Sequence, residues 1–287
     1  MKIAIYGSRR QDAHLAVLES FLRSLDEAGH EVVMHPKIYR YLMALMPAAL
    51  KCVRRVLPDA SEACADMALS IGGDGTFLRT AEWIGAAGTP IAGVNTGHLG
   101  YLTATGIGGL ASLTAAFENG MLSTCTRSLI ELCSPHVDIW PYALNEVALL
   151  KSETAAMINV AAAVDGVPLA DYRVDGLLVS TPTGSTAYNL SVGGPIVQPT
   201  APVWVLSPVA AHSLSMRPVV LNDSSVLTLT PSSRSPHVRL SLDGRGVTLD
   251  TGTQLSLRRA PFGVKMLQPR GYDFAATLRE KLHWGED

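Results

Sequence analysis

The chain has 287 residues, 47% of them hydrophobic and 17% charged, enough for a sizeable core in one large domain or two ordinary ones. Its formal net charge is −2 and its longest basic runs are the pairs Arg9-Arg10, Arg54-Arg55 and Arg258-Arg259, which argues against a nucleic-acid binder. Cys52, Cys64, Cys125 and Cys133 form no CxxC pair, and no segment reaches the ~18 apolar residues of a membrane span, so reduced thiols and a cytoplasmic location are expected.

The first hundred residues alternate strand and helix patterns. Lys2–Tyr6 is a short strand. From His14 to Ala28 the apolar residues Leu15, Leu18, Leu22 and Leu25 recur at helical spacing, and Gly29 supplies a C-cap. Glu31–Met34 predicts a second strand. Ile38 to Leu57 predicts a helix kinked near Pro47, and Met67–Ile71 a buried strand. Thr76 to Ala87 is helical again, and Pro90–Val94 returns to strand. This order predicts a parallel sheet covered by helices.

The strand at 67–71 runs straight into Gly72-Gly73-Asp74-Gly75-Thr76. Glycines at such a bend let bare N–H groups approach phosphate oxygens, and the helix that follows adds a favourable dipole. Asp74 among phosphates needs a task, either holding Mg²⁺ or taking a proton from an attacking hydroxyl. A tight strand-to-helix turn with Asp74 as N-cap uses the same residues. The loop is neither a Walker A sequence nor GxGxxG. A second loop, Asn95-Thr96-Gly97-His98-Leu99-Gly100-Tyr101, also follows a strand and should lie beside the first. Asn95 and Thr96 are candidate phosphate donors and Tyr101 a candidate base contact; His98 fits a packed loop histidine better than a catalytic one.

The pattern changes near Leu122. Short β-rich runs follow at Ala143–Leu150, Ile158–Val164, Leu177–Ser180, Val203–Leu206, Val226–Thr230, Val238–Leu242 and Gln254–Arg258, separated by turns such as Asp165-Gly166 and Asp243-Gly244. The expected layout is an α/β domain over 1–122 and an all-β, sandwich-like domain over 123–259, with 260–287 packing back on the first. The tail from Tyr272 to Trp284 predicts a helix. Between Ser180 and Tyr188 all residues but Ala187 are turn-forming or hydroxyl-bearing. They suit a surface turn, or a nucleoside site with Tyr188 as a wall.

The ordered set Gly72–Gly75, Asn95–Tyr101, Asn145-Glu146, Asp175-Gly176 and Ser180–Tyr188 resembles the bacterial NAD kinases, and the likeness spans most of the chain. Ser207-Pro208, His212-Ser213-Leu214, Arg217–Val220, Asp243-Gly244 and the closing Leu278-Arg279-Glu280-Lys281-Leu282 extend it. The glycine loop alone is shared with lipid kinases and 6-phosphofructokinases. The resemblance implies transfer of the γ-phosphoryl of ATP to the 2′-hydroxyl of the adenosine ribose of NAD, with a divalent metal, Mg²⁺ or Mn²⁺. It makes Asp74 the general base and Gly72, Gly73, Gly75 and Thr76 phosphate binders. It assigns Asn145 and Glu146 to the adenosine portion of NAD. Arg173, Asp175, Thr186, Ala187, Tyr188, Ser191 and Ala210 belong to the same dinucleotide site, and Thr183 is a further base contact. No residue is implied as a direct metal ligand.

Val174 and Arg245 depart from the family pattern. Competing readings are a lipid kinase, which would need an apolar acceptor cavity, and a non-catalytic dinucleotide sensor, which could discard Asp74. The resemblance further implies a homo-oligomer, dimer or tetramer, with no nucleic-acid or membrane partner.

Overall fold

The computed structural model describes residues 1–9, 11–97, 100–103, 105–134, 137–152 and 157–282; His98 and Trp284, considered above, lie outside them. The chain forms two compact units, Met1–Thr126 with Val264–Asp287, and Arg127–Gly263.

In the first unit β1 (Lys2–Gly7), β2 (Glu31–Met34), β3 (Val53–Val56), β4 (Met67–Ile71) and β5 (Ile91–Asn95) run parallel in the order β3-β2-β1-β4-β5. Period-two alternation gives the sheet two apolar faces. Ile3, Ile5, Leu69 and Ile71 join Leu18, Phe21, Leu22 and Leu25 of α1 (Leu15–Glu27) and Ile38 and Leu42 of α2 (Pro36–Leu45) in one core. The alternate positions meet α3 (Asp74–Ile84), where Thr80 Oγ1 donates to Ser70 Oγ at 2.9 Å. Gly29, at φ 70, ends α1, and His30 N–H reaches back to the Leu25 carbonyl at 2.9 Å. A short β6 (Thr105–Gly106), α4 (Leu110–Glu118) and β7 (Leu122–Arg127) complete this stretch.

The helix expected over 38–57 ends at Leu45. Met46 leaves the helical region at φ −144, ψ 58, Pro47 opens a single 3₁₀ turn, and Val53–Val56 becomes the edge strand β3. Leu50, Val53 and Val56 recur every three residues, a helical spacing that the strand does not share, so periodicity misleads here. Arg54 and Arg55 are exposed on that edge, where charge discourages pairing with another chain.

The second unit contains β8 (Ile130–Cys133), β9 (Tyr142–Ala143), β10 (Glu146–Lys151), β11 (Ile158–Val164), β12 (Val167–Val174), β13 (Gly176–Ser180), β14 (Val203–Val209), β15 (Val219–Asn222), β16 (Leu227–Ser232), β17 (His237–Leu242), β18 (Arg245–Asp250) and β19 (Leu255–Arg259). They build two antiparallel sheets, β15-β14-β13-β10-β17-β18 and β12-β11-β16-β19-β8-β9, whose inner faces share one core around Tyr172, Leu177, Trp204, Leu229, Leu240 and Leu257. The expected strand 143–150 is broken at Leu144-Asn145, where the chain leaves one sheet for the other.

The chain then returns. β20 (Val264–Pro269) pairs in parallel with β5 and stands between β5 and β7, and α6 (Phe274–Leu282) follows it. The expected α/β unit, all-β unit and final helix are therefore all present.

Candidate active site

The glycine loop lies at the carboxyl end of β4, the edge where open α/β sheets bind ligands. Gly72 holds φ 152, and a Cβ there would collide with the Thr76 side chain. Gly73 and Gly75 are exposed. Asp74 is not the N-cap: that position is Gly73, and Asp74 is the first residue of α3. Its carboxylate turns to the second loop instead. Tyr101 N–H donates to Oδ2 at 2.8 Å, and Leu102 N–H and the Thr103 hydroxyl donate to Oδ1 at 3.1 and 2.9 Å. Gly100 packs so closely that any Cβ would enter the carboxylate. The two loops are thus brought together as expected, with Thr103 as a partner that carries no motif of its own.

Asn95, expected among the phosphate binders, is turned inward. Its side chain is 3% exposed, donates to Thr103 Oγ1 at 2.9 Å and accepts from Gly97 N–H at 2.6 Å. These bonds brace the second loop, whose residues 101–103 hold Asp74. Tyr101 has a buried hydroxyl with no partner among the described residues, and burial, Tyr272 and Asp74 all push its phenol upward.

Beside the loop, Ser8 N–H bonds the Ile71 carbonyl at 3.1 Å, tying the end of β1 to the end of β4. Tyr6, His35 and Trp83 pack with ring centroids 4.5 to 5.8 Å apart. Burial, reinforced by Arg79 and Arg9, holds the Lys37 ammonium below its usual range. Three cations therefore converge at this edge.

In the β unit the break at Leu144-Asn145 has a clear cause. The amides of Leu144, Asn145 and Glu146 all donate to the Asp243 carboxylate, at 2.7, 2.8 and 3.1 Å. A buried carboxylate with three N–H donors satisfies a corner that a ladder would otherwise serve. Burial pushes Asp243 up, against those hydrogen bonds and Arg245. Glu146 is pushed up to about 8 by burial, with Asp243 adding to the rise and the Tyr188 backbone N–H opposing it. Asn145 Oδ1 and Glu146 Oε2 are buried with no partner among the described residues.

The Ser/Thr stretch is not a plain surface turn. Ser180, Thr181 and Ser185 are fully buried, Thr183–Thr186 forms a 3₁₀ turn, and α5 (Tyr188–Ser191) follows. Thr181 Oγ1 donates to the Leu144 carbonyl at 2.5 Å, and the Gly184 amide donates to Thr181 Oγ1 at 3.1 Å. Gly184 passes so near Asn145 that a Cβ would strike its backbone. Asn145, Glu146, Thr183 and Tyr188 are therefore gathered on one corner, with Thr186 and Ala187 partly exposed in the same turn and Ser191 exposed at the end of α5.

Arg173, Asp175 and Ala210 gather separately. The Asp175 amide bonds the Val209 carbonyl at 3.0 Å, and the Arg173 carbonyl accepts from His212 N–H at 3.0 Å. Ala210 holds φ 47. Asp175 also pairs with Lys151 Nζ at 2.8 Å. Of the two departures, Val174 is a core residue, and Arg245 donates to the Tyr142 carbonyl and stands over the Trp140 ring at 5.2 Å. Sequence reasoning placed Asp243 in a turn and in the family pattern, but its role under Asn145-Glu146 had no local signal. Among the described residues no three His, Cys, Asp or Glu side chains cluster as a metal cage.

Comparison with known proteins bears on this geometry. The ATP-NAD kinase N-terminal domain family matches residues 3–121, and the ATP-NAD kinase C-terminal domain family matches 144–268. The chain is 43% identical to the NAD kinase of Porphyromonas gingivalis over 286 residues, covering 99% of this chain and 98% of that one. It is 37% identical to the NAD kinase of Bacteroides fragilis over 289 residues, covering 100% and 99%. The fold matches a yeast NADH kinase complexed with NADH at TM-score 0.88 and 22% identity, over 100% of this chain and 89% of that one. It matches an Archaeoglobus fulgidus NAD kinase in complex with ATP at TM-score 0.71 and 26% identity, over 94% of each. Neither the lipid-kinase nor the sensor reading is favoured by these relatives. On matches that run along nearly its whole length, the chain belongs to the NAD kinase family.

Proposed function

We propose that this chain transfers the γ-phosphoryl of ATP to the 2′-hydroxyl of the adenosine ribose of NAD, giving NADP, with Asp74 as general base. The observation that carries the reading is the Asp74 carboxylate, fixed by Tyr101, Leu102 and Thr103 at the head of α3 among exposed glycines. The first amides of a helix have no acceptor within it, so those of Asp74 and Gly75 are free for phosphate oxygens. Thr76 belongs to the same turn. Arg9, Lys37 and Arg79 add positive charge where a triphosphate needs it.

The ribose hydroxyl is too weak an acid to ionise first. Asp74 accepts the proton as the O2′–P bond forms and the bond from Pγ to its bridging oxygen breaks, with that electron pair leaving on the β-phosphate. Positioning carries more of the rate than the base does. The β unit serves the acceptor: Asn145 and Glu146 present unpartnered buried polar atoms, which a nucleoside would satisfy. Thr183, Thr186, Ala187, Tyr188 and Ser191 line the same dinucleotide, while Arg173, Asp175 and Ala210 hold its other end. A divalent metal, Mg²⁺ or Mn²⁺, fits this donor set only as an ion carried chiefly by donor phosphates, the usual habit of Mg²⁺. It would neutralise phosphate charge.

No helix among the described residues is long and apolar enough to cross a membrane, which is compatible with a cytoplasmic enzyme. The exposed Val167, Leu214 and Val220 of the β unit suit a homo-oligomer. The test of function is incubation with NAD, ATP and Mg²⁺, followed by detection of NADP with a strictly NADP-dependent dehydrogenase. Formation of NADP is expected; its absence with every nucleotide donor and metal overturns the reading.

A further inference from the structure

The first unit holds a cavity of about 510 Å³, lined by α4, the start of β7 and the turn that follows β20. None of the residues assigned above to NAD or to the phosphate donor lines it. Leu113 and Ala116 of α4, with Met121, Leu122 and Pro269, make its wall apolar. The end of α4 sets Met121 in place. Gly120 holds φ 62, and Met121 N–H reaches back to the Ala116 carbonyl at 2.8 Å. Met121 is left 56% exposed, a large apolar side chain with no cover on its outer side. The Ser123 hydroxyl donates to the Gln268 carbonyl at 3.3 Å and joins the opposite wall, β7 to β20.

One charge stands on this apolar wall. Tyr272 N–H bonds the Pro269 carbonyl at 3.2 Å and Gly271 holds φ 83, so residues 269–272 form a tight turn that presents Arg270. Arg270 is exposed, and it is the one charged residue that lines the cavity. It forms no ion pair or hydrogen bond with another described residue.

A cavity of this size with an apolar wall takes a small ligand whose body is apolar. A single unpaired cation at its edge is complementary to a ligand with a hydrocarbon tail and one anion. A guanidinium meets a carboxylate through two parallel N–H···O bonds. Because Arg270 is exposed, the head group keeps part of its water and escapes the penalty of a buried ion pair. A membrane surface would call for a cluster of basic residues instead.

We propose that this cavity binds a medium-chain aliphatic carboxylate, with the tail against Leu113, Ala116 and Met121 and the carboxylate on Arg270. The site stands independently of the kinase reading, since no residue of that reaction takes part in it.

The experiment is calorimetric titration of the full chain with sodium octanoate, and with 1-octanol as a neutral probe of the same length. Octanoate is expected to bind with Kd of about 0.1–1 mM. Arg270→Gln should weaken octanoate by more than about threefold and leave octanol within about twofold, because only the charged head is affected. Ala116→Phe fills the cavity and should weaken both probes by more than about fivefold. Ser112→Phe, at an exposed position of α4 on the same cavity, carries that comparison if the Ala116 variant does not fold. No octanoate binding by the parent up to about 10 mM overturns the proposal. Binding that survives both the Arg270 and the cavity-filling change also overturns it, since the carboxylate then sits elsewhere. Equal weakening of octanoate and octanol by Arg270→Gln overturns the assignment of the charge.

Discussion

A carboxylate at the first residue of a helix is favoured by the dipole behind it, and Asp74 gains three further donors from residues 101 to 103. Asp74→Asn keeps one acceptor oxygen and the shape of the site but cannot take a proton. It should lower kcat by about 10²–10⁴-fold while the Kd for NAD stays near that of the parent; steady-state rates and NAD titration decide it. Glu146 makes a prediction of another kind. Its folded carboxyl, pushed up to about 8, holds a proton that the unfolded chain, with a value near 4.5, releases earlier. The stability it contributes is therefore complete below the unfolded value and is lost as pH rises through the folded one. Urea unfolding at pH 6 and pH 9 should show the parent losing roughly 1–3 kcal/mol more than Glu146→Gln over that interval.

At the scale of elements, each unit has a corner that depends on one carboxylate. Asp243 receives the amides of Leu144, Asn145 and Glu146, so Asp243→Asn leaves the corner short of acceptors. A loss of about 1–3 kcal/mol is expected in thermal or urea unfolding, with weaker NAD binding. Gly100→Ala drives a methyl into the Asp74 carboxylate and should cut kcat more than it lowers the melting temperature. Element types were legible where periodicity was long, as in α1 with its glycine cap, and where a buried run was bounded by turn residues, as in β4. They were not legible where a short run is ambiguous. Val53–Val56 fits a helix by spacing until the break at Met46 and pairing with β2 make it a strand. Ala143–Leu150 reads as one strand because nothing local announces Asp243, 98 residues away from Asn145.

For the whole molecule, the first unit is discontinuous and the second is not. β20 stands between β5 and β7, and Met266 and Leu267 are buried there. A fragment of residues 1–126 lacks that strand and should be poorly folded by circular dichroism and prone to aggregate. A fragment of residues 127–263 has both sheets and its own core, and should melt cooperatively by itself. A non-cooperative melt of the second fragment would contradict its independence.

By itself the sequence determined the class of the fold, the glycine loop with its acid, and the ordered motifs that mark the family. These are written in local spacing, turn residues and short contiguous strings. Tertiary structure alone decided that Asp74 is held by the 101–103 loop instead of capping its helix, that Asn95 braces that loop, and that Asp243 sets the Asn145-Glu146 corner. Each of these joins residues far apart in the chain, where the deciding quantities are burial and unmet hydrogen bonds, and neither has a period that a sequence displays.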